Sequence, residues 1–220
     1  MNATAPRIKV CCIASLEEAR LAIDAGASAI GLVSEMPSGP GPIPEERIRE
    51  IAAAIPRTIR TFLLTSRTDV GAIASQVRRS GVTTVQVVDH LIFGNHRDLR
   101  QALPDTEIVQ VIHVRGETSV DEALAAAPFV DALLLDSGNQ GLPVKELGGT
   151  GRTHDWALSR RIRDGVDLPV WLAGGLSESN VAAAIAAVKP YGVDICSGVR
   201  TDGRLDKDRL ASFASVVRAA

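Results

Sequence analysis

The chain of 220 residues lacks every feature that would tie it to a bilayer, a nucleic acid or an oxidising compartment. No apolar run approaches the roughly 20 residues that a bilayer-spanning helix needs, so no membrane partner is expected. Lys and Arg total 24 against 26 Asp and Glu, a net charge of −2, and the cations are scattered. Without a basic face to collect phosphate backbones, no nucleic-acid partner is expected either. Cysteine is scarce: Cys11, Cys12 and Cys196 make an odd number, two of them adjacent, which argues against a disulfide framework. No Cys/His spacing reads as a zinc site, and no metal is expected. The opening MNATAPRIKVCCIAS has no apolar h-region, from which a cytoplasmic location is expected. Inter-domain linkers and low-complexity tracts are absent as well.

What is present is the composition of a chain that folds unaided, 45% hydrophobic and 23% charged. Eight short apolar runs alternate with Ala-rich stretches of helical period. The runs are Ile8–Ile13, Ala29–Val33, Ile59–Leu64, Thr84–Val88, Glu107–Val114, Ala132–Asp136, Pro169–Ala173 and Val193–Ser197. Helical text follows each, over Leu16–Ala25, Pro44–Ala54, Val70–Arg79, Val120–Ala126, Asp155–Arg163, Glu178–Val188 and Asp206–Ala219, with the weakest pattern near His96–Ala102. Strands buried on both faces and separated by amphipathic helices form parallel sheets. Eight such units, with no second domain's worth of residues left over, predict an α/β fold: a single (β/α)8 TIM barrel domain over residues 1–220, in preference to an open doubly wound sheet.

Two connections are much longer than the others, Ser34–Ile43 and Ser137–His154. Both follow strands, so both fall on the barrel face where ligands bind. Polar residues that end apolar strands face that mouth. Asp136 closes Ala132-Leu133-Leu134-Leu135, and Cys11 sits within Ile8-Lys9-Val10-Cys11. A carboxyl at a desolvated mouth suits a general acid, and a thiol suits a base where a cation stabilises its thiolate. Two plainer roles stay open: Asp136 as a cap for the next loop, and Cys11 as a small buried hydrophobe.

Three glycine-bearing segments converge on the same rim: Gly148-Gly149-Thr150-Gly151, Gly174-Gly175 after the seventh strand, and Ser197-Gly198 after the eighth. Glycine lets backbone N–H groups approach an anion closely, which points to a small phosphorylated ligand. Lys9 serves either as a cation beside Cys11 or as a side chain snorkelling from the barrel bottom. His113 lies within the fifth strand, and Arg67 and Arg200 are available to a ligand anion.

These segments resemble the phosphoribosylanthranilate isomerase family over nearly the whole chain. Lys9-Val10-Cys11-Cys12-Ile13-Ala14 is similar to the family's K-[IV]-C-G-[IL]-T opening, Leu133-Leu134-Leu135-Asp136-Ser137 to its sixth strand, and Gly148–Trp156 to its G-G-T-G-x-x-x-[DN]-W motif. Leu172–Leu176 and Val193–Val199 are similar to its last two strand ends. The resemblance implies a cofactor-independent Amadori rearrangement of tryptophan biosynthesis, from N-(5-phosphoribosyl)anthranilate to 1-(2-carboxyphenylamino)-1-deoxyribulose 5-phosphate. It also implies Cys11 as general base and Asp136 as general acid.

The sequence departs from the family pattern in places. The S-P-R-[YF]-[VI] stretch, whose Arg grips the anthranilate carboxylate, is here Pro37-Ser38-Gly39-Pro40-Gly41-Pro42-Ile43. Gly after the opening Cys is Cys12, V-Q-L-H-G is Val85-Gln86-Val87-Val88-Asp89, and S-G-V-E is Ser197-Gly198-Val199-Arg200. Arg67 or Arg200 is expected to replace the lost Arg. The alternative is a divergent paralogue acting on, or only binding, another phosphorylated sugar. A monomer and a homodimer are both open.

Overall fold

The computed structural model describes residues 5–148 and 151–220. Eight parallel strands close into a barrel: β1 Arg7–Val10, β2 Ala29–Val33, β3 Arg60–Thr65, β4 Thr84–Val87, β5 Glu107–His113, β6 Ala132–Asp136, β7 Val170–Leu172 and β8 Gly192–Ile195. Each strand pairs with the next, and β1 pairs with β8 in the register Arg7↔Gly192 to Val10↔Ile195, which closes the ring. Eight helices follow in turn: α1 Leu16–Asp24, α2 Glu45–Ala54, α3 Val70–Ser80, α4 His96–Ala102, α5 Thr118–Ala126, α6 Trp156–Asp164, α7 Val181–Val188 and α8 Lys207–Ala219. The expected fold class is the observed one.

Local chemistry explains most helix starts. Ser15, Asp69, Asp155 and Asp206 each accept a hydrogen bond from an N-terminal backbone N–H of the helix that follows, satisfying donors that have no intrahelical partner. The weakly patterned α4 forms because Asn95 and Asp98 make a reciprocal capping box. A short antiparallel ribbon, Arg200–Thr201 with Arg204–Leu205, was not expected; Asp202 and Gly203 turn it with φ of 49° and 77°.

Strand ends are tighter than the apolar runs suggest. Val10 is the last residue of β1, and Cys11 and Cys12 lie just past it. The cause is Cys12, whose φ of 61° takes the backbone out of extended geometry. Likewise β7 stops at Leu172 ahead of Gly174 and Gly175, at φ of 82° and 59°, and Cys196 and Ser197 fall beyond β8.

Alternate residues point inward, so the ring has two cores. Ile8, Val10, Ile30, Leu32, Leu63, Leu133, Leu135 and Val193 pack outward under the helices. Phe62, Leu64, Val109, Val111, Leu134, Trp171 and Ala173 fill the interior with Cys11 and Cys12. Gly192 makes room for Trp171: a Cβ there would sit 2.4 Å from the indole.

Lys9 is fully buried inside the barrel and does not snorkel from its bottom. Its ammonium stands 2.7 Å from Asp194 Oδ2 and 5.0 Å from the Phe62 ring centroid. Burial alone would strip the proton from Lys9. The Asp194 carboxylate outweighs it, with help from the Cys11 thiol, and holds Lys9 above its ordinary range. Burial acts on Asp194 in the opposite sense, pushing its carboxyl up against the pull of Lys9. A 2.7 Å ammonium–carboxylate contact in register across the closing pair is an ion pair, and each charge depends on the other.

Lys9→Met leaves the Asp194 carboxylate buried and unpaired, and urea unfolding is expected to show a loss of about 3–5 kcal/mol. The double change Lys9→Met with Asp194→Leu should recover most of that loss. Equal losses in the single and double variants would show that the pair is not what the interior relies on.

Candidate active site

The strand C-termini and the two long loops enclose a cavity open to solvent. Inward alternation carries three pairs of side chains up to it: Lys9 then Cys11, Leu134 then Asp136, and Asp194 then Cys196. The upper member of each pair lines the cavity, and so does Asp194. Cys11 is held at the seam by its backbone N–H, which donates to Ile195 O at 2.8 Å. Gly31 on β2 makes the space for its thiol, since a Cβ there would lie 2.8 Å from Cys11 Sγ.

Asp136 is 9% exposed. One carboxylate oxygen accepts from Ser137 N at 2.7 Å, so the residue does cap its own loop. The other faces Gly148, where a Cβ would come within 3.0 Å of it. Loop capping and a place on the cavity wall therefore coexist in one side chain.

The loop after β2 folds over the mouth and is latched to the loop after β6. Ser38 Oγ donates to Lys145 O at 2.5 Å, and the thiol of Cys12 lies 3.6 Å from Pro40 O. Asn139 and Glu146 exchange two backbone hydrogen bonds across the β6 loop, at 2.7 and 3.0 Å. Lys145 is also ion-paired with the buried Asp89 at 2.5 Å.

The anticipated glycine rim divides into two groups. Gly148, Gly151, Gly174, Gly175 and Ser197 line the cavity. Ser197 starts a 3-10 turn, Ser197–Val199, at the end of β8, where a short helical N-terminus presents backbone donors. Gly198 does not line the cavity. Its missing side chain lets the turn pack on the β7 loop, for a Cβ would meet Leu176 O at 2.4 Å. Gly149 and Thr150 lie outside the described residues.

Neither expected arginine lines the cavity. Arg200 is committed elsewhere: its guanidinium pairs with Glu18 at 3.0 Å and donates to Cys12 O at 2.6 Å and Gly203 O at 3.0 Å. Arg67 is exposed on the loop after β3, beside Ser66, whose hydroxyl donates to Glu35 O of the β2 loop at 2.9 Å. His113 does not line the cavity, and its Nε2 lies 3.0 Å from Val88 O at the end of β4.

Sequence reasoning passed over Cys12, Gln86, Asp194 and Cys196, all of which line the cavity. Gln86 Oε1 and Asp194 Oδ1 are buried there without a partner among the described residues. Asp136 was selected as a polar residue in an apolar strand, and Gln86 and Asp194 carry the same signal within the fourth and eighth runs. His154 stands behind the rim. Its Nε2 is 2.8 Å from Ser159 Oγ, and a Cβ on Gly174 would lie 2.9 Å from its Nδ1. Burial depresses its pKa from the ordinary 6.5, against the opposing pull of Asp136 and Asp155, so the ring is neutral at pH 7.

Residues 8–216 match the family model for N-(5'-phosphoribosyl)anthranilate isomerase. The chain is 36% identical over 216 residues to the Haloferax volcanii N-(5'-phosphoribosyl)anthranilate isomerase, covering 97% of this chain and 94% of that one. It is 36% identical over 209 residues to isomerase 2 of Methanosarcina mazei, covering 94% and 92%. The phosphoribosyl anthranilate isomerase structure from Thermotoga maritima superposes with a TM-score of 0.81 at 27% identity, over 98% of this chain and all of that one. A phosphoribosyl anthranilate isomerase in complex with reduced 1-(o-carboxyphenylamino)-1-deoxyribulose 5-phosphate superposes with a TM-score of 0.79 at 26% identity, with the same coverage.

A histidine whose pKa is depressed by folding binds fewer protons in the native state than in the unfolded one. Stability therefore rises with pH through this region and is lost as pH falls below 6.5. Urea midpoints measured from pH 8 down to pH 5 should show that loss in the native protein and a smaller one in His154→Gln. Superimposable pH profiles would rule out a buried neutral imidazole.

Proposed function

Given that this chain belongs to the N-(5'-phosphoribosyl)anthranilate isomerase family, we propose that Cys11 is the general base and Asp136 the general acid of its isomerisation. The activity itself is that of the family: a cofactor-independent aldose–ketose isomerisation in tryptophan biosynthesis. The observation that carries the assignment of roles is the meeting of a thiol from the end of β1 and a carboxyl from the end of β6 in one cavity, rimmed by Gly174, Gly175 and Ser197.

In this reading the phosphate of N-(5-phosphoribosyl)anthranilate rests on backbone N–H groups of Gly174, Gly175 and the Ser197–Val199 turn, with Gly148 and Gly151 on the facing side. Asp136 passes its proton to the furanose ring oxygen, and the C1′–O bond breaks to leave a protonated Schiff base. The Cys11 thiolate then takes the C2′ proton, and the electron pair of that C–H bond neutralises the iminium to give an enolamine. Tautomerisation of the enolamine yields the 1-deoxyribulose ketone. Buried Lys9, one inward position below Cys11, supplies positive charge near the thiolate.

Among the described residues no lysine or arginine lines the cavity, so the anthranilate carboxylate needs a cation from its edge. Arg67 fits that role, because it is exposed on the loop after β3, whereas Arg200 is ion-paired with Glu18. The same reading has the protein act in the cytoplasm, as a monomer or a homodimer, on a small phosphorylated substrate. No helix among the described residues is long and apolar enough to cross a membrane.

Following the consumption of phosphoribosylanthranilate by its fluorescence tests the roles directly. Cys11→Ala and Asp136→Asn should each lower kcat by roughly 10²- to 10⁴-fold. Turnover that survives both changes would refute the pair. Arg67→Ala should raise KM about tenfold or more with kcat nearly unchanged, the pattern of lost uniform binding, and an unchanged KM would remove Arg67 from the carboxylate site.

A further inference from the structure

Two cysteines, one of them a departure from the family's pattern, meet at the mouth. Cys12 stands where the resembled opening has glycine, and Cys196 follows β8. Their sulfur atoms lie 2.8 Å apart although the residues are 184 positions apart in sequence. All three cysteines are free thiols, and all three line the cavity.

The backbone brings the two residues into the same neighbourhood. The register Val10↔Ile195 makes β1 and β8 neighbours, and Cys11 N donates to Ile195 O, so the chain segments that carry Cys12 and Cys196 run side by side. Strands so paired lie about 4.8 Å apart, so the two segments leave the barrel as close neighbours. A bond of about 2.05 Å needs the sulfurs to close by roughly 0.8 Å, less than a rotamer change moves a thiol.

The two thiols are also unlike each other. The hydrogen bond with Cys12 depresses the pKa of Cys196, and the Arg200 guanidinium adds to the effect against burial. Hydrogen bonds from Cys11 and Cys196, and then burial, push Cys12 up. One sulfur is disposed to be a thiolate and the other keeps its proton, the arrangement of an attacking and a resolving cysteine. Cys196 is also the more exposed of the two.

We propose that Cys12 and Cys196 are an oxidation site, which a hydroperoxide converts to an intramolecular disulfide that pins the end of β1 to the end of β8 and slows turnover. The Cys196 thiolate attacks the O–O bond and takes one oxygen as a sulfenic acid, while the other oxygen leaves, with a proton, as an alcohol. The Cys12 thiol then attacks the Cys196 sulfur and displaces that oxygen as water. Two thiols and one hydroperoxide give one disulfide, one alcohol and one water. The tether flanks both Cys11 and Ser197, so it displaces the base and the anion rim together. The effect on turnover rests on the acid–base reading above; the cross-link itself does not.

The test treats the purified protein with tert-butyl hydroperoxide, alkylates the remaining thiols and maps tryptic peptides. Peptide Val10–Arg20 should be joined to Asp164–Arg200 through Cys12, with Cys11 still alkylated and the link reversed by dithiothreitol. The link should persist in Cys11→Ser and be absent from Cys196→Ser and Cys12→Gly. Oxidation confined to Cys11, with Cys12 and Cys196 both alkylated, overturns the proposal, as does a link through Cys11. The linked protein should lose at least tenfold in kcat/KM and regain it with dithiothreitol. A fully linked protein that turns over normally would reject the control of activity. Because the map needs no substrate, its failure is distinguishable from a failure of the isomerase roles.

Discussion

Pairing of β1 with β8 is the constraint on which the rest of the molecule depends. Seven of the eight strand pairings join strands separated by a single helix, but this one brings the first strand against the last. Parallel register then places Lys9 beside Asp194 and, just above, joins Cys11 N to Ile195 O and Cys12 to Cys196. The first contact supports the interior and the second builds the mouth. An interior that buries an ammonium tolerates it only because its carboxylate partner arrives on the neighbouring strand, so closure and charge neutralisation are one event.

Above that seam the site is assembled by two opposite uses of small residues. Gly31 and Gly192 are needed because inward side chains, the Cys11 thiol and the Trp171 indole, occupy the volume a Cβ would take. Gly174 and Gly175 are needed for their backbone conformation and for contact with the β6 loop, since a Cβ on Gly175 would meet the Arg152 carbonyl carbon at 2.6 Å. Cys12 breaks this economy, for it holds a left-handed φ without being glycine. Arg200 donates to its carbonyl at 2.6 Å, and Glu18 holds Arg200, so the unusual backbone is secured from outside the barrel. The arginine that seemed available to a ligand is instead part of the scaffold for the loop bearing the base.

How much was legible beforehand follows the range of the interactions involved. Asp136 and Cys11 could be found from the chain because a polar group stands out at the end of a strand that is otherwise apolar and buried on both faces. The limits of β1 and β7 could not, because left-handed conformations at Cys12 and Gly174 end them before hydrophobicity runs out. Gly198 reads as part of an anion cradle in a linear string, yet its carbonyl neighbour Leu176 belongs to the preceding βα loop. A glycine's reason is invisible until the segment it must not touch is in place.

The order of elements, the barrel class and the places of Cys11 and Asp136 near strand ends were determined by the sequence alone, since they arise from hydrophobic patterning over short stretches of chain. Only the tertiary structure decided that Lys9 is an interior charge, that Arg200 serves Glu18, that His154 stands behind the rim, and that Cys12 meets Cys196. Each of these depends on a partner brought close by ring closure or by loop packing. Charge pairing and thiol contact fall off within a few ångströms, and linear order carries no such distances until the last strand has met the first.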